Sequence, residues 1–67
     1  METFTYRNEN NGGQERIKTD GVSFWISSDF GQGFSRWVKV SKKQAENGLD
    51  WTGAPKDIKG SVLGLGV

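Results

Sequence analysis

The chain has 67 residues and a net charge of +1, with no cysteine and no histidine. That length bounds it to a single small domain over 1–67, near the lower limit of independent folding. The composition excludes disulfide staples and thiolate metal sites, and it removes the usual general base and zinc ligand.

Glu2–Arg7 alternates threonine with aromatic residues and reads as a first strand, with Phe4 and Tyr6 on one face. Asn8–Gln14, NENNGGQ, is a polar loop whose glycines tolerate positive φ. Glu15–Thr19 is a short second strand. Asp20-Gly21 follows it, and Asp-Gly between alternating runs predicts a two-residue type I′ hairpin turn. Val22–Ser28 is the third strand and Phe34–Val40 the fourth, joined by a five-residue loop, Asp29–Gly33. The two loop lengths place Ile17 opposite Phe24, Arg16 opposite Trp25, and Trp25 opposite Trp37. Both registers then put Ile17, Val22, Phe24, Ile26, Val38 and Val40 on one face. They put Arg16, Lys18, Trp25, Trp37 and Lys39 on the other, because a one-residue slip would mix the sets.

Ser41-Lys42-Lys43-Gln44 matches a capping box, and Gly48 is placed to end the helix, which predicts a short helix over Lys42–Asn47. Pro55 interrupts any helix in the turn-rich stretch after it. The last residues, Ile58–Val67, alternate Leu63, Leu65 and Val67 with glycine and predict an extended edge strand. The fold expected is α+β, mainly β: a four-stranded antiparallel meander, one short α-helix and an extended C-terminal tail.

Five of the eight aromatic residues lie between Gly21 and Val40. Trp25 and Trp37, flanked by Arg16, Lys18 and Lys39, form the pattern of a partner surface, since aromatics and arginine are the enriched hot-spot types. Phe30, at a glycine loop tip, is placed to enter a partner pocket. Arg36, Lys39, Lys42 and Lys43 form a basic run without an acid. The charge is uneven along the chain: residues 1–33 hold three bases and five acids, and residues 34–67 hold six bases and three acids. The partner-binding residues named by the sequence are Trp25, Trp37, Phe30, Arg16, Arg36 and Lys39.

The acids are scattered and form no metal-loop pattern, so no metal and no cofactor are expected. Without His, Cys or a large pocket, no catalytic residue is assigned and no enzyme activity is expected. No apolar run reaches the ~20 residues of a membrane span, and METFTYRNENNGG lacks the pattern of a signal peptide. A cytoplasmic, non-membrane protein is the expectation. FGQGF resembles a fragment of the cold-shock domain, but the spacing of the neighbouring aromatics and bases does not follow that family. In size, missing motifs and aromatic display the chain is similar to small phage-encoded proteins that block host defence or transcription machinery. That likeness implies an inhibitor, anti-CRISPR-like in type, that occludes a larger protein partner or a protein–nucleic-acid complex. The alternative expectation is a single-stranded nucleic-acid binder using the same aromatic and basic face. Self-association through the tail, as a structural subunit, is a third.

Overall fold

In the computed structural model, which describes residues 2–64, the alternating runs form a four-stranded antiparallel sheet in the order β1-β2-β3-β4. The strands are β1 (Glu2–Arg7), β2 (Gln14–Thr19), β3 (Phe24–Asp29) and β4 (Val38–Val40). Two helices follow, α1 (Lys42–Thr52) and α2 (Lys56–Leu63). The α+β class and the meander agree with the sequence reading. The helical content does not, because two helices stand where one helix and an extended tail are expected.

The registers differ from expectation by two residues in both hairpins. Ile17 pairs with Ile26, Lys18 with Trp25 and Thr19 with Phe24. The β2–β3 connection is therefore a four-residue loop, Asp20–Ser23, and no type I′ turn forms. Such a turn needs positive φ at both central residues, and only Gly21 has it, at 94°. The cause is local side-chain capture. The Asp20 carboxylate accepts from the amides of Val22 and Ser23 at 2.9 and 2.7 Å, which lowers its pKa. The Thr19 hydroxyl donates to the Ser23 carbonyl at 2.8 Å. Val22 thus leaves the third strand and is 86% exposed at the loop tip, not in the core. Across β3 and β4, Phe24 pairs with Val40, Trp25 with Lys39 and Ile26 with Val38. Trp37 is not opposite Trp25, and β4 is three residues long rather than seven. A shift of two leaves every strand residue on its expected face, so the face assignment stands although the pairs change.

One face carries Phe4, Tyr6, Ile17, Phe24, Ile26 and Val40, and both helices pack on it. The core joins Tyr6, Ile17 and Phe24 to Ala45 and Leu49 of α1 and to Val62 and Leu63 of α2. Ala45, Leu49 and Thr52 are buried at helical spacing and form the inward stripe of α1. The helix starts at a capping box, with the Ser41 hydroxyl accepting from the Gln44 amide and Gln44 Oε1 accepting from the Ser41 amide. It does not stop at Gly48. A Cβ there would meet Ile26 Cδ1 at 3.6 Å, so Gly48 faces the sheet from within the helix. The end is at Gly53, in the left-handed region at φ 73°. The amides of Gly53 and Ala54 return to the carbonyls of Asp50 and Leu49 in a Schellman arrangement.

The eleven residues of α1 span about 16 Å at 1.5 Å each. Four strands span about 14 Å at ~4.8 Å per gap. The helix therefore begins beside β4 and ends beside β1, crossing the whole sheet. At that far end the Glu9 amide donates to the Thr52 carbonyl at 2.9 Å, and Asn10 Nδ2 donates to the Trp51 carbonyl. The tail reading is corrected over the described residues. Pro55 precedes the first turn of α2, where its fixed φ suits a helix start. Ile58, Val62 and Leu63 then turn to the core at helical rather than alternating spacing. Lys59 of α2 pairs with Asp50 of α1. Leu65 and Val67, named in the tail reading, lie outside the described residues.

The Tyr6 hydroxyl meets Thr52 Oγ1 at 2.7 Å. Thr52 has one hydroxyl hydrogen, and its Oγ1 donates it to the Gly48 carbonyl at 2.6 Å, so Tyr6 is the donor of the pair. Burial holds the Tyr6 pKa above 10.0, and the charge of Glu15, its cross-strand partner, adds to this. The Thr52 bond opposes the shift only if its hydroxyl abandons Gly48 and turns to the phenolate. The unfolded chain then loses its phenol proton first as pH rises. Stability is fully present below 10.0 and is lost as pH rises through the raised native value. Urea midpoints should therefore fall more for the native chain than for Tyr6→Phe between about pH 9 and about pH 11. Parallel curves would show that the phenol is not held protonated by the fold.

Candidate functional site

Among the described residues, no helix packs on the opposite face of the sheet. Its rows follow from the register: Thr3, Lys18, Trp25 and Lys39 across all four strands, then Thr5, Arg16 and Ser27, then Arg7, Gln14 and Asp29. Arg16 and Lys18 are alternate residues of β2, so both rise on this side. Trp25 is directly across from Lys18. The remaining rings come from the segment between β3 and β4.

That segment runs beside β3 before β4 begins. The Ser35 amide donates to the Ser28 carbonyl at 2.8 Å, and the Ser27 hydroxyl donates to the Ser35 carbonyl at 2.6 Å. Between this contact and the Ile26–Val38 pair, one strand advances three residues, from 35 to 38. The other moves back two, from 28 to 26. The extra residue acts as a β-bulge. Phe34 and Trp37 are an odd number of positions apart and would face opposite sides of a plain strand. The bulge lets both rings reach Arg16.

The result is a ladder in which rings and cations alternate. Arg16 Cζ lies 4.3 Å from the centroid of Phe34 and 4.4 Å from that of Trp37. Lys18 Nζ lies 4.2 Å from Trp37 and 5.8 Å from Trp25. The order of contacts is Phe34, Arg16, Trp37, Lys18, Trp25. Each contact of this type contributes roughly 0.5–1 kcal/mol when exposed and up to about 2 when desolvated. Trp25, Trp37, Arg16 and Lys18 are all half-buried, covering one another rather than lying under a further layer.

The ladder is electrostatically unfinished. Among the described residues the ion pair formed is Lys59–Asp50, on the helical side, and neither Arg16 nor Lys18 has a carboxylate partner. Arg16 Nε is buried with no hydrogen-bond partner. The face carries Arg7, Arg16, Lys18 and Lys39 against a single acid, Asp29. Asp29 is engaged, since its Oδ1 accepts from the amides of Gly31 and Gly33 at 2.7 and 3.0 Å. The neighbouring acid in sequence, Glu15, points to the other side. It is buried between Asn8 Nδ2 at 3.0 Å and the Ser28 hydroxyl at 2.5 Å. Glu46 is on α1, also away from the ladder.

Of the six residues named from sequence, the structure brings together Trp25, Trp37, Arg16 and Lys39. Arg16 sits against Trp37 and Phe34 rather than against Trp25. Phe30 is 69% exposed but stands apart, beside Gly13 at the rim of a shallow depression with Asn11, Gly12 and Gly31. Arg36 is exposed and makes no ring contact or ion pair among the described residues. The basic run is divided, because Lys42 and Lys43 open α1 on the helical side. Phe34 and Lys18 belong to the ladder and are absent from the six. Lys18 is legible from alternation with Arg16, whereas Phe34 depends on the bulge, which no residue pattern announces.

No group of three or more acidic, His or Cys side chains suited to a metal occurs among the described residues. No helix among them is long and apolar enough to cross a membrane. No protein-family model, curated protein or solved structure matches the chain.

Proposed function

We propose that this chain is a non-enzymatic binding protein that captures a larger partner on the open face of its sheet and acts by occluding it, as an inhibitor or modulator. One observation carries the reading. Two cations are fixed between three rings on a face that neither helix covers, and among the described residues neither has an acid to neutralise it. A cation held in place against an aromatic surface has already lost most of its rotamer freedom, so a partner loses less entropy in pairing with it. The partner is therefore one that presents negative charge. Trp37, in contact with both cations, is the centre of the surface and the expected hot spot.

The test compares the native chain with Trp37→Ala and Arg16→Ala as bait in lysate of the native host, with and without nuclease. Amide NMR spectra establish that each variant keeps the sheet. Both variants are expected to lose capture by at least ~2 kcal/mol, about 30-fold in affinity. Folded variants that capture as the native chain does would remove the ladder from function. The partner surface would then be sought around Phe30.

A further inference from the structure

We infer that the partner segment seated on the ladder is a single-stranded nucleic acid. This rests on the reading of the open face as the partner surface and names its chemistry. Four cations, Arg7, Arg16, Lys18 and Lys39, stand on the face against Asp29, whose Oδ1 holds two loop amides. A surface for an ordinary protein carries both signs so as to fix register, whereas a polyphosphate asks for one. Glu15 and Glu46 are on the other side of the sheet, and Asp20, the loop acid that feels the charge of Lys39, is engaged by the amides of Ser23 and Val22.

The ladder is also a single row, running Phe34, Arg16, Trp37, Lys18, Trp25 in order of contact. A single strand needs only a track wide enough for one backbone.

A single strand presents, in turn, flat bases that stack on rings and phosphates that pair with cations. The ladder presents rings and cations in the same alternation. Phe34 and Trp25, at its two ends, each meet one cation, while Trp37 between them meets two. The end rings thus have a π face for a base. The guanidinium of Arg16, clasped between Phe34 and Trp37, has its N–H edge for a phosphate oxygen. A duplex gains nothing from the rings, because its bases are already stacked on one another.

The experiment measures fluorescence anisotropy of a labelled oligothymidylate of about 15 nucleotides, a length within the range single-strand folds cover. A matched duplex and a labelled poly-glutamate peptide serve as competing polyanions. Lys18→Ala and Lys39→Ala remove charge without removing a core side chain. Trp25→Ala removes a stacking ring, and Lys43→Ala, on α1, is the control off the face. The oligothymidylate is expected to bind more tightly than the duplex and the peptide. Each lysine removed from the face should flatten the plot of log affinity against log salt by about 0.7. Trp25→Ala should weaken binding about tenfold or more, and Lys43→Ala should leave it unchanged. Duplex binding as tight as single-strand binding would overturn the inference. So would a single-strand affinity as sensitive to Lys43→Ala as to Lys18→Ala. If the peptide binds in a ladder-dependent way and the oligothymidylate does not, the ligand class is wrong and the partner surface stands. If neither polyanion binds while ladder-dependent capture from lysate persists, the nucleic-acid inference is likewise overturned and the partner surface is kept.

Discussion

Leu49→Ala is expected to destabilise the chain by about 2–5 kcal/mol, the range for removing a fully buried leucine. Leu49 is 1% exposed in the second half of α1 and belongs to the cluster that joins both helices to the sheet. A domain of this size holds roughly 3–10 kcal/mol in total, so the variant should be largely unfolded at 37 °C or melt tens of degrees earlier. Trp51, two residues on, is 66% exposed, and Trp51→Ala should shift stability by no more than about 0.5 kcal/mol. Urea unfolding followed by near-ultraviolet circular dichroism gives both numbers. A Leu49→Ala loss below about 1 kcal/mol would mean that α1 is not docked as described.

The second large effect concerns a polar side chain. Asn8 is 1% exposed and organises the turn after β1. Its Oδ1 accepts from the amides of Asn10 and Asn11 at 2.8 and 3.3 Å, while its Nδ2 donates to Glu15 Oε2 at 3.0 Å. Asn8→Ala removes these together. It leaves the buried Glu15 carboxylate with the Ser28 hydroxyl alone among its side-chain donors. A buried charged acceptor stripped of a donor costs about 1–3 kcal/mol, and the freed turn amides add to it. The expected loss is about 2–4 kcal/mol by the same reasoning. Pairing Asn8→Ala with Glu15→Leu in a double-mutant cycle should recover part of that loss, because the stranded carboxylate is gone. Full additivity would show that Asn8 acts through the turn only.

The faces of the sheet were legible because alternation survives any register shift of two. Ile17, Phe24 and Ile26 fall inward and Arg16, Lys18 and Trp25 outward in either pairing. The register itself was hidden in Asp20, whose carboxylate captures two amides and lengthens the loop. Asp-Gly is a hairpin signal, but it does not say whether the aspartate serves the turn with its backbone or its side chain. Gly48 misled for a related reason. A glycine after six helical residues reads as a stop, whereas here the missing Cβ faces Ile26 and the stop is Gly53. The tail reading rested on Gly64 and Gly66 alternating with Leu63, Leu65 and Val67, and the helical spacing of Ile58 and Val62 was the competing signal. Four of the five ladder members, Arg16, Lys18, Trp25 and Trp37, were readable from alternation, and Phe34 was not. The ladder's assembly needed the bulge before β4, which depends on Ser35 bonding to Ser28 and Ser27.

The crossing of α1 from β4 to the β1–β2 loop ties the beginning of the chain to its later part. Tyr6 and Thr52 are 46 residues apart, and the Glu9–Thr52 contact is nearly as distant. The three hairpin pairings can form early, since each closes a short loop. The helix gains its last turn of contacts only once the first strand is in place, and loop closure must be met before those contacts repay it. The first strand is therefore held by two independent clasps, its ladder with β2 and its bonds to the end of α1. Neither the sheet without α1 nor the helices without β1 retains all its partners. Hydrogen exchange should accordingly report one opening unit that spans both termini of the core rather than a separable N-terminal hairpin and C-terminal helix pair.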